Sequence, residues 1–380
     1  MNQFGFVKLK DVCTFYTGTG FPTKYQGRER GKYPFYKVGD ISKNAQAGNK
    51  YLQLCDNFVD DEDVVAIKGN IIPSNTIVFA KIGEAVKLNR RAITETSCLV
   101  DNNVMGIAPD ESEMSLDYFY YFMRNLKMET LAESTTVPSV RKSRLEELKI
   151  QVPTLDIQEI ICKKLNSTER IMVKRRQQLE EIDMLIKARF VEMFGNPEDS
   201  GNEWEQKPLS DLLNVIGGYA FKSDQFSEIG GIPVLRIGNI NAGVFRPVNM
   251  VYWEDDEKLE RYAIYAGDLV MSLTGTVGKD DYGNVCIMGN EYDKYYLNQR
   301  NAKLEIKSGL DKYYLSELLK FECVKKKLTG ISRGVRQANI SNKDILNLVV
   351  NVPPIELQNQ FAAFVTQVDK LKFVETIARF

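Results

Sequence analysis

Apolar and polar positions alternate along this chain in strand-like and helix-like stretches, and each kind occurs twice. Two runs rich in aromatic and β-branched residues, "YPFYKVGDI" (33–41) and "IPVLRIGNI" (232–240), read as strands. "LDYFYYFMRNL" (116–126) and "LDKYYLSELLK" (310–320) carry the spacing of amphipathic helices. The longest pattern runs from Asp156 to Phe194 without Gly or Pro. Within it, positions 161, 165, 168, 172, 175, 179, 182, 186, 189 and 193 alternate by four and three, and seven of these ten are Ile, Leu or Met. That spacing predicts a coiled-coil seam of Ile161, Leu165, Met172, Leu179, Ile182, Ile186 and Met193. Leu357, Phe361, Phe364, Val368 and Leu371 repeat it in a second helix over 356–380, and "FGNPEDSGNEW" (194–204) supplies the break between the halves.

The doubling extends through most of the sequence, displaced by about 200 residues. Leu9 and Asp11 match Leu209 and Asp211, and Phe21 matches Phe221. "TIVFAKIGEAVK" (76–87) aligns with "DLVMSLTGTVGK" (268–279), pairing Gly83 with Gly275 and Lys87 with Lys279. "VRKSRLEELKIQVPTLDIQ" (140–158) aligns with "ISNKDILNLVVNVPPIELQ" (340–358) without a gap. The expected architecture is therefore α+β, with repeated mixed α/β domains at 1–155 and 195–355 and long helices at 156–194 and 356–380. Pairing the helices antiparallel would relate the halves by an approximate two-fold axis. Such helices are about 58 Å and about 37 Å long, against about 34 Å for one turn of duplex DNA.

The chemistry that the chain can carry is narrowed by what is missing. It has 380 residues, 43% hydrophobic and 27% charged, and contains no histidine. Ser-His-Asp and Cys-His arrangements are thereby excluded, as are histidine-ligated metals. Six widely spaced cysteines form no CxxC pair and read as small buried hydrophobes rather than disulfides or a metal site. No apolar run is long enough for a membrane span, and an apolar signal segment is lacking at the N-terminus, so the cytoplasm is expected.

"FYTGTGF" (15–21), with Asp40 twenty residues after Gly20, suggests a cofactor cradle, but Pro22, Gly27 and Gly31 interrupt any following helix. In the second copy the glycines read as shifted to Gly217 and Gly218, and Asn239 stands in place of Asp40. Both stretches are expected to be turns leading from a first strand. "NVPPIE" departs from an adenine-methyltransferase motif at two positions, and "GTVGK" lacks the spacing and the Ser or Thr of a phosphate loop.

Net charge is −1 with a pI of about 6.0, unusual for a protein that grips DNA by charge alone. Cations nonetheless cluster in expected loops: Arg28 and Arg30 with Lys32, then Lys87, Arg90 and Arg91, then Arg141, Lys142 and Arg144, with Lys279, Arg333 and Arg336 in the second half. The acidic stretches 56–63 and 253–258 would then face away. "TTVPSVRKSR" (135–144) and "GISRGVRQANIS" (330–341) precede the last strand of each half and differ in content, as two readers of different base sequences should. For a chain that reads DNA, Arg141, Lys142, Arg333, Arg336, Gln337 and Asn339 would be the expected base-proximal residues, since Arg pairs with guanine and Asn or Gln with adenine.

The two-copy layout, "VPTLDIQEII" and "VPPIELQNQF" at the helix starts, and "FVEMFGNPEDSGNEWEQKPLSDL" between the halves resemble the DNA-specificity subunit of type I restriction-modification systems over essentially the whole chain. The resemblance implies a non-catalytic subunit without a cofactor of its own. Target-recognition domain 1 would occupy 1–155 and a linker with target-recognition domain 2 195–355, each reading one part of a bipartite double-stranded DNA target. The spacer helices would dock methyltransferase subunits, which supply S-adenosylmethionine chemistry, and restriction subunits would join for ATP-driven cleavage. The second helix, 25 residues against 39, departs from this pattern and suggests a truncated or variable end. The alternatives are an adenine-specific DNA methyltransferase acting alone and a helical protein-interaction scaffold.

Overall fold

The computed structural model describes residues 5–133, 137–199, 203–240, 242–276, 279–330 and 337–377. The chain divides into two compact units, Met1–Lys174 and Arg175–Phe380. Both are mixed α and β, and they repeat one plan.

In unit 1, strand Phe6–Lys8 pairs antiparallel with Lys149–Gln151, Val7 opposite Ile150, which fastens the start of the unit to the segment leading into the long helix. Between them lies an antiparallel sheet in the order Cys13–Thr17, Val104–Pro109, Ile77–Ala80, Arg91–Ile93. Every residue of Ile77–Ala80 is buried, as the unbroken apolar run requires of a strand covered on both faces. A smaller sheet orders Phe58–Val59, Tyr33–Tyr36 and Leu99–Val100, the last pair parallel. Unit 2 repeats these parts. Glu205–Pro208 pairs with Val349–Val352, a four-stranded sheet runs Leu213–Gly217, Asn301–Ile306, Leu269–Ser272, Val285–Ile287, and a second sheet centres on the parallel pair Ile232–Leu235 and Tyr295–Leu297.

The glycines of the opening stretch serve backbone packing. Thr19 N donates to Val100 O at 2.8 Å, and a Cβ on Gly18 would lie 1.8 Å from the Asp101 carbonyl oxygen. In unit 2, Tyr219 N donates to Leu297 O at 2.8 Å, and a Cβ on Gly218 would lie 2.1 Å from the Asn298 carbonyl oxygen. Gly218 thus stands where Gly18 does, so the shift expected from the sequence does not occur. Asp40 and Asn239 are also equivalent: each accepts from the backbone N–H at the start of its own helix, Lys37 N at 2.8 Å and Arg236 N at 3.0 Å. A helix-capping role explains why a carboxylate and an amide serve equally well.

A buried glutamine fixes the foot of the long helix in each unit. Gln158 accepts from Ser115 N at 2.8 Å and donates to Glu113 O at 2.9 Å and Pro153 O at 2.8 Å. Gln358 accepts from Asp311 N at 2.8 Å and donates to Gly309 O at 3.1 Å and Pro353 O at 2.7 Å. These bonds correct the alignment of the preceding helices, Leu116–Asn125 and Lys312–Lys320. Ser115 corresponds to Asp311 and Tyr118 to Tyr314, a shift of two from the match of their "LD" dipeptides. Tyr118 Oη donates to Gln151 O and Tyr314 Oη to Asn351 O, both at 2.8 Å.

The long helix spans Leu155–Phe194 as one element of 40 residues. Its first half belongs to unit 1, where Cys162 is buried, Tyr121 Oη donates to Asn166 Oδ1 and Glu169 Oε2, and Arg124 pairs with Glu169. Its second half belongs to unit 2 and meets helix Ile355–Ile377. Phe190 and Phe194 both lie 5.4 Å from Phe361, centroid to centroid, and Arg189 lies over Phe364, so the partner number rises as the first falls and the pair is antiparallel. Tyr314 and Phe321 close the aromatic cluster around Phe190.

The expected seam is buried unevenly. Ile186, Phe361 and Val368 are buried, and Ile182, Met193, Leu357 and Phe364 pack against the same core. Ile161 and Leu179 are half-buried. Leu165 and Met172 are 38% and 62% exposed, contrary to the expected continuous stripe. The side chain of Leu371 lies outside the described residues. A strict four-three count also passed over Phe190 and Phe194, the innermost residues of the contact, because a 3.6-residue helix drifts off a 3.5-residue repeat.

Replacing Gln158 with Leu leaves one buried N–H and two carbonyls without their partner, so unit 1 should lose about 3 kcal/mol. Chemical denaturation of the variant measures this; a loss below about 1 kcal/mol would show that the amide does not fasten the helix.

Candidate nucleic-acid interface

The fold brings together two segments that are far apart in sequence, and it does so in both units. In unit 1 the residues after strand Ile77–Ala80 meet the segment before helix Lys142–Glu146: Gly83 N donates to Pro138 O and Val140 N to Lys81 O, each at 2.8 Å. In unit 2 the equivalent segments form an antiparallel ribbon, Thr274–Thr276 with Gln337–Asn339, and Ile340 N donates to Leu273 O at 2.8 Å. Ala338 is buried beneath the ribbon, and Asn339 is exposed. Asp281 accepts from Thr276 N at 2.8 Å and Thr276 Oγ1 at 3.0 Å at the end of the ribbon. In each unit the described parts of the two aligned segments are therefore joined by backbone bonds.

The cations expected at this surface separate by their partners. Arg30 and Arg144 are exposed, Arg90 is half-buried and Lys279 is exposed. None of these four side chains has a hydrogen-bond or ion-pair partner among the described residues. Others are engaged: Lys87 with Glu84 at 2.9 Å, Arg141 with Glu133 at 2.9 Å, and Lys142 with Glu146 at 3.5 Å while lying over the Phe15 ring. Arg28 is held by Asp63 at 2.5 Å and Asp60 at 3.4 Å.

Arg91 requires a correction, since it is 5% exposed and donates to Asn89 O and Asn89 Oδ1 at 2.9 and 3.0 Å and to Leu126 O. It opens strand Arg91–Ile93, all three residues of which are buried, so it is not available to a phosphate. Arg333 and Arg336 lie outside the described residues, as does the side chain of Gln337.

The acidic stretches do not simply face away from the cations. Asp60, Asp61 and Asp63 neutralise Arg28 and Lys32, and the Lys32 ammonium holds the Asp61 carboxyl below its usual range. In unit 2, Lys294 bridges Asp255 and Glu260 at 2.9 and 2.7 Å and lowers both carboxyls. Glu147 is held down to about 2 by Lys10 and Lys8, a clasp between the ends of unit 1.

All six cysteines are free thiols, and burial pushes Cys98 up to about 12 and Cys286 to about 11. Thiols at those values are not nucleophiles at neutral pH. Among the described residues no group of three or more Cys, Asp or Glu is arranged to hold a metal ion, and no helix is long and apolar enough to cross a membrane.

Sequence reasoning did not single out Asp281, and it took Gln158 and Gln358 only as the ends of aligned segments. The signal for the glutamines was their identical offset from Pro153 and Pro353 in both copies. Asp281 offered none, because Asn89 stands at the aligned position in unit 1.

A family model described as the type I restriction modification DNA specificity domain matches the chain twice, over residues 1–182 and 201–378, and the chain belongs to that family. It is 26% identical over 285 residues to the type I restriction enzyme MjaVIII specificity subunit of Methanocaldococcus jannaschii, a match covering 67% of this chain and 64% of that subunit, under two thirds of its length. It is 22% identical over 393 residues to the putative type I restriction enzyme MjaX specificity subunit of the same organism, covering 96% of this chain and 86% of the relative. The crystal structure of the type I restriction-modification system S subunit from M. genitalium covers 100% of this chain and 94% of its own, with a TM-score of 0.55 at 14% identity. That likeness concerns the fold.

Neutralising a free cation that meets phosphate should weaken DNA binding evenly across sequences and reduce the salt slope by about one. Arg30→Ala, Arg90→Ala and Arg144→Ala are expected to do so in an anisotropy titration over salt, and Arg28→Ala is not. An unchanged slope in all three would remove these positions from the interface.

Proposed function

We propose that this chain is the DNA-specificity subunit of a type I restriction-modification complex, with residues 1–155 and 195–355 as target-recognition domains and residues 156–194 and 356–380 as spacer helices. Each domain reads one tract of a bipartite double-stranded target, using the free cations and Asn339 described above. Modification subunits dock on the helices and bring S-adenosylmethionine and the methyl-transfer chemistry, and restriction subunits join them for ATP-driven cleavage. The chain itself is non-catalytic and works in the cytoplasm.

One observation carries this reading: two units share a scaffold to the level of single hydrogen bonds, while the loop pairs at equivalent places differ in residue content. Phosphate contacts fix register without carrying sequence, and base contacts discriminate. A duplicated frame with unlike loops is what two readers on one polypeptide require. The low net charge fits a subunit whose affinity is completed by its partners.

Labelled S-adenosylmethionine supplied to the purified chain should leave duplex DNA unmodified, and addition of the modification subunits should produce both methyl transfer and a shifted DNA band. Transfer by the chain alone would make it a methyltransferase in its own right. Absence of a shift in the presence of those subunits would leave only a protein scaffold.

A further inference from the structure

The turn between Gly83 and Arg91 in unit 1 is braced more heavily than a surface loop needs. Gly83, at φ +84, leads the chain away from its strand, and the short helical turn Glu84–Val86 buries Val86. The chain then passes Lys87 and Leu88 and reverses at Asn89, which holds φ +53 without being glycine. Asparagine tolerates this left-handed conformation better than most residues, which suits it to the reversal. Asn89 Oδ1 accepts from Met128 N and from Arg91 Nη2, both at 3.0 Å, and Asn89 O accepts from Arg91 Nη1 at 2.9 Å.

The brace itself is an unusual choice. Arg91 is buried with carbonyl and amide oxygens as its partners and no carboxylate among them. Burial lowers its guanidinium to about 10, so it remains cationic at neutral pH. A buried cation is costly unless it is well hydrogen-bonded, and here the two terminal nitrogens carry the bonds while Nε has no hydrogen-bond partner among the described residues. What it secures here is the shape of one turn. Leu88 stands on that turn, 53% exposed, with Lys87 before it and Arg90 after it. The same loop is hydrogen-bonded to the segment carrying Arg141, Lys142 and Arg144.

Single exposed leucines are common on protein surfaces. This one is held on a rigid turn between two cations, in a loop joined by backbone bonds to the second segment. An aliphatic side chain so placed suits the C5-methyl of thymine at a base edge, with Arg90 beside it able to reach a phosphate while Lys87 is paired with Glu84. We propose that Leu88 is an apolar base-contacting residue of unit 1 and that Arg91 is the positioning residue that holds the turn presenting it. This inference rests on the assignment of the units as DNA readers. In unit 2 Asp280 and Asp281 follow Lys279 where Leu88 and Asn89 follow Lys87, so the effect is confined to one half of the target.

The assembled modification complex, given a pool of random-sequence duplexes and sequenced for methylated bases, tests the proposal. With the unaltered chain the pool yields a split motif. Leu88→Ala should lower discrimination about fourfold at a position within one half, the value of a lost methyl contact, and leave the other half and the salt slope unchanged. Arg91→Ala should relax the same half more widely, and Arg91→Lys, which keeps a buried donor, should recover part of it. Leu88 is exposed, so its truncation does not threaten the fold. An unaltered motif for Leu88→Ala, or relaxation in both halves, overturns the proposal. Failure of the unaltered complex to yield any motif overturns the DNA-reading assignment and this inference with it.

Discussion

The structure depends on one constraint: each long helix must leave its domain at a fixed place, and a buried glutamine amide enforces this. Gln158 and Gln358 each have both amide donors and the acceptor engaged by backbone groups from the helix foot and from the loop before the preceding helix. A fully satisfied amide in a dry setting is specific as well as stabilising, because displacing it leaves several buried groups without partners. The antiparallel strand pair beside each clamp ties the unit's first residues to the same point. With the frame held in this way, the loop pairs are free to differ between units without endangering the fold.

The frame was largely legible in the sequence because it is written twice. The segments 140–158 and 340–358 align without a gap, and the bonds made by Gln158 and Gln358, Tyr118 and Tyr314 follow that alignment. Where the reading slipped, the cause was chemical equivalence between unlike letters. Ser115 and Asp311 cap their helices in the same way, Ser115 toward Tyr118 N and Asp311 toward Tyr313 N and Tyr314 N, so the matching "LD" dipeptides pointed two residues astray. The helix seam was legible in period but not in phase, since Phe190 and Phe194 enter the contact only as a straight helix turns past the heptad.

The candidate surface was legible as composition and hidden as geometry. A cation's availability depends on partners distant in sequence: Arg28 is neutralised from positions 60 and 63, Arg141 from 133, and Arg91 is buried in its strand. Arg30 and Arg144 look no different from these in the sequence, yet they have no hydrogen-bond or ion-pair partner among the described residues. This sorting also accounts for the near-zero net charge. Many of the acids form structural pairs with particular cations, and a smaller set of cations has no such pair among the described residues.

Methylome sequencing of a host with and without this gene tests the central claim most directly. Two readers on one polypeptide predict that deletion abolishes modification at a single split motif, made of two short defined tracts separated by an undefined spacer of constant length. Unchanged methylation, or the loss of one continuous motif, would contradict the account.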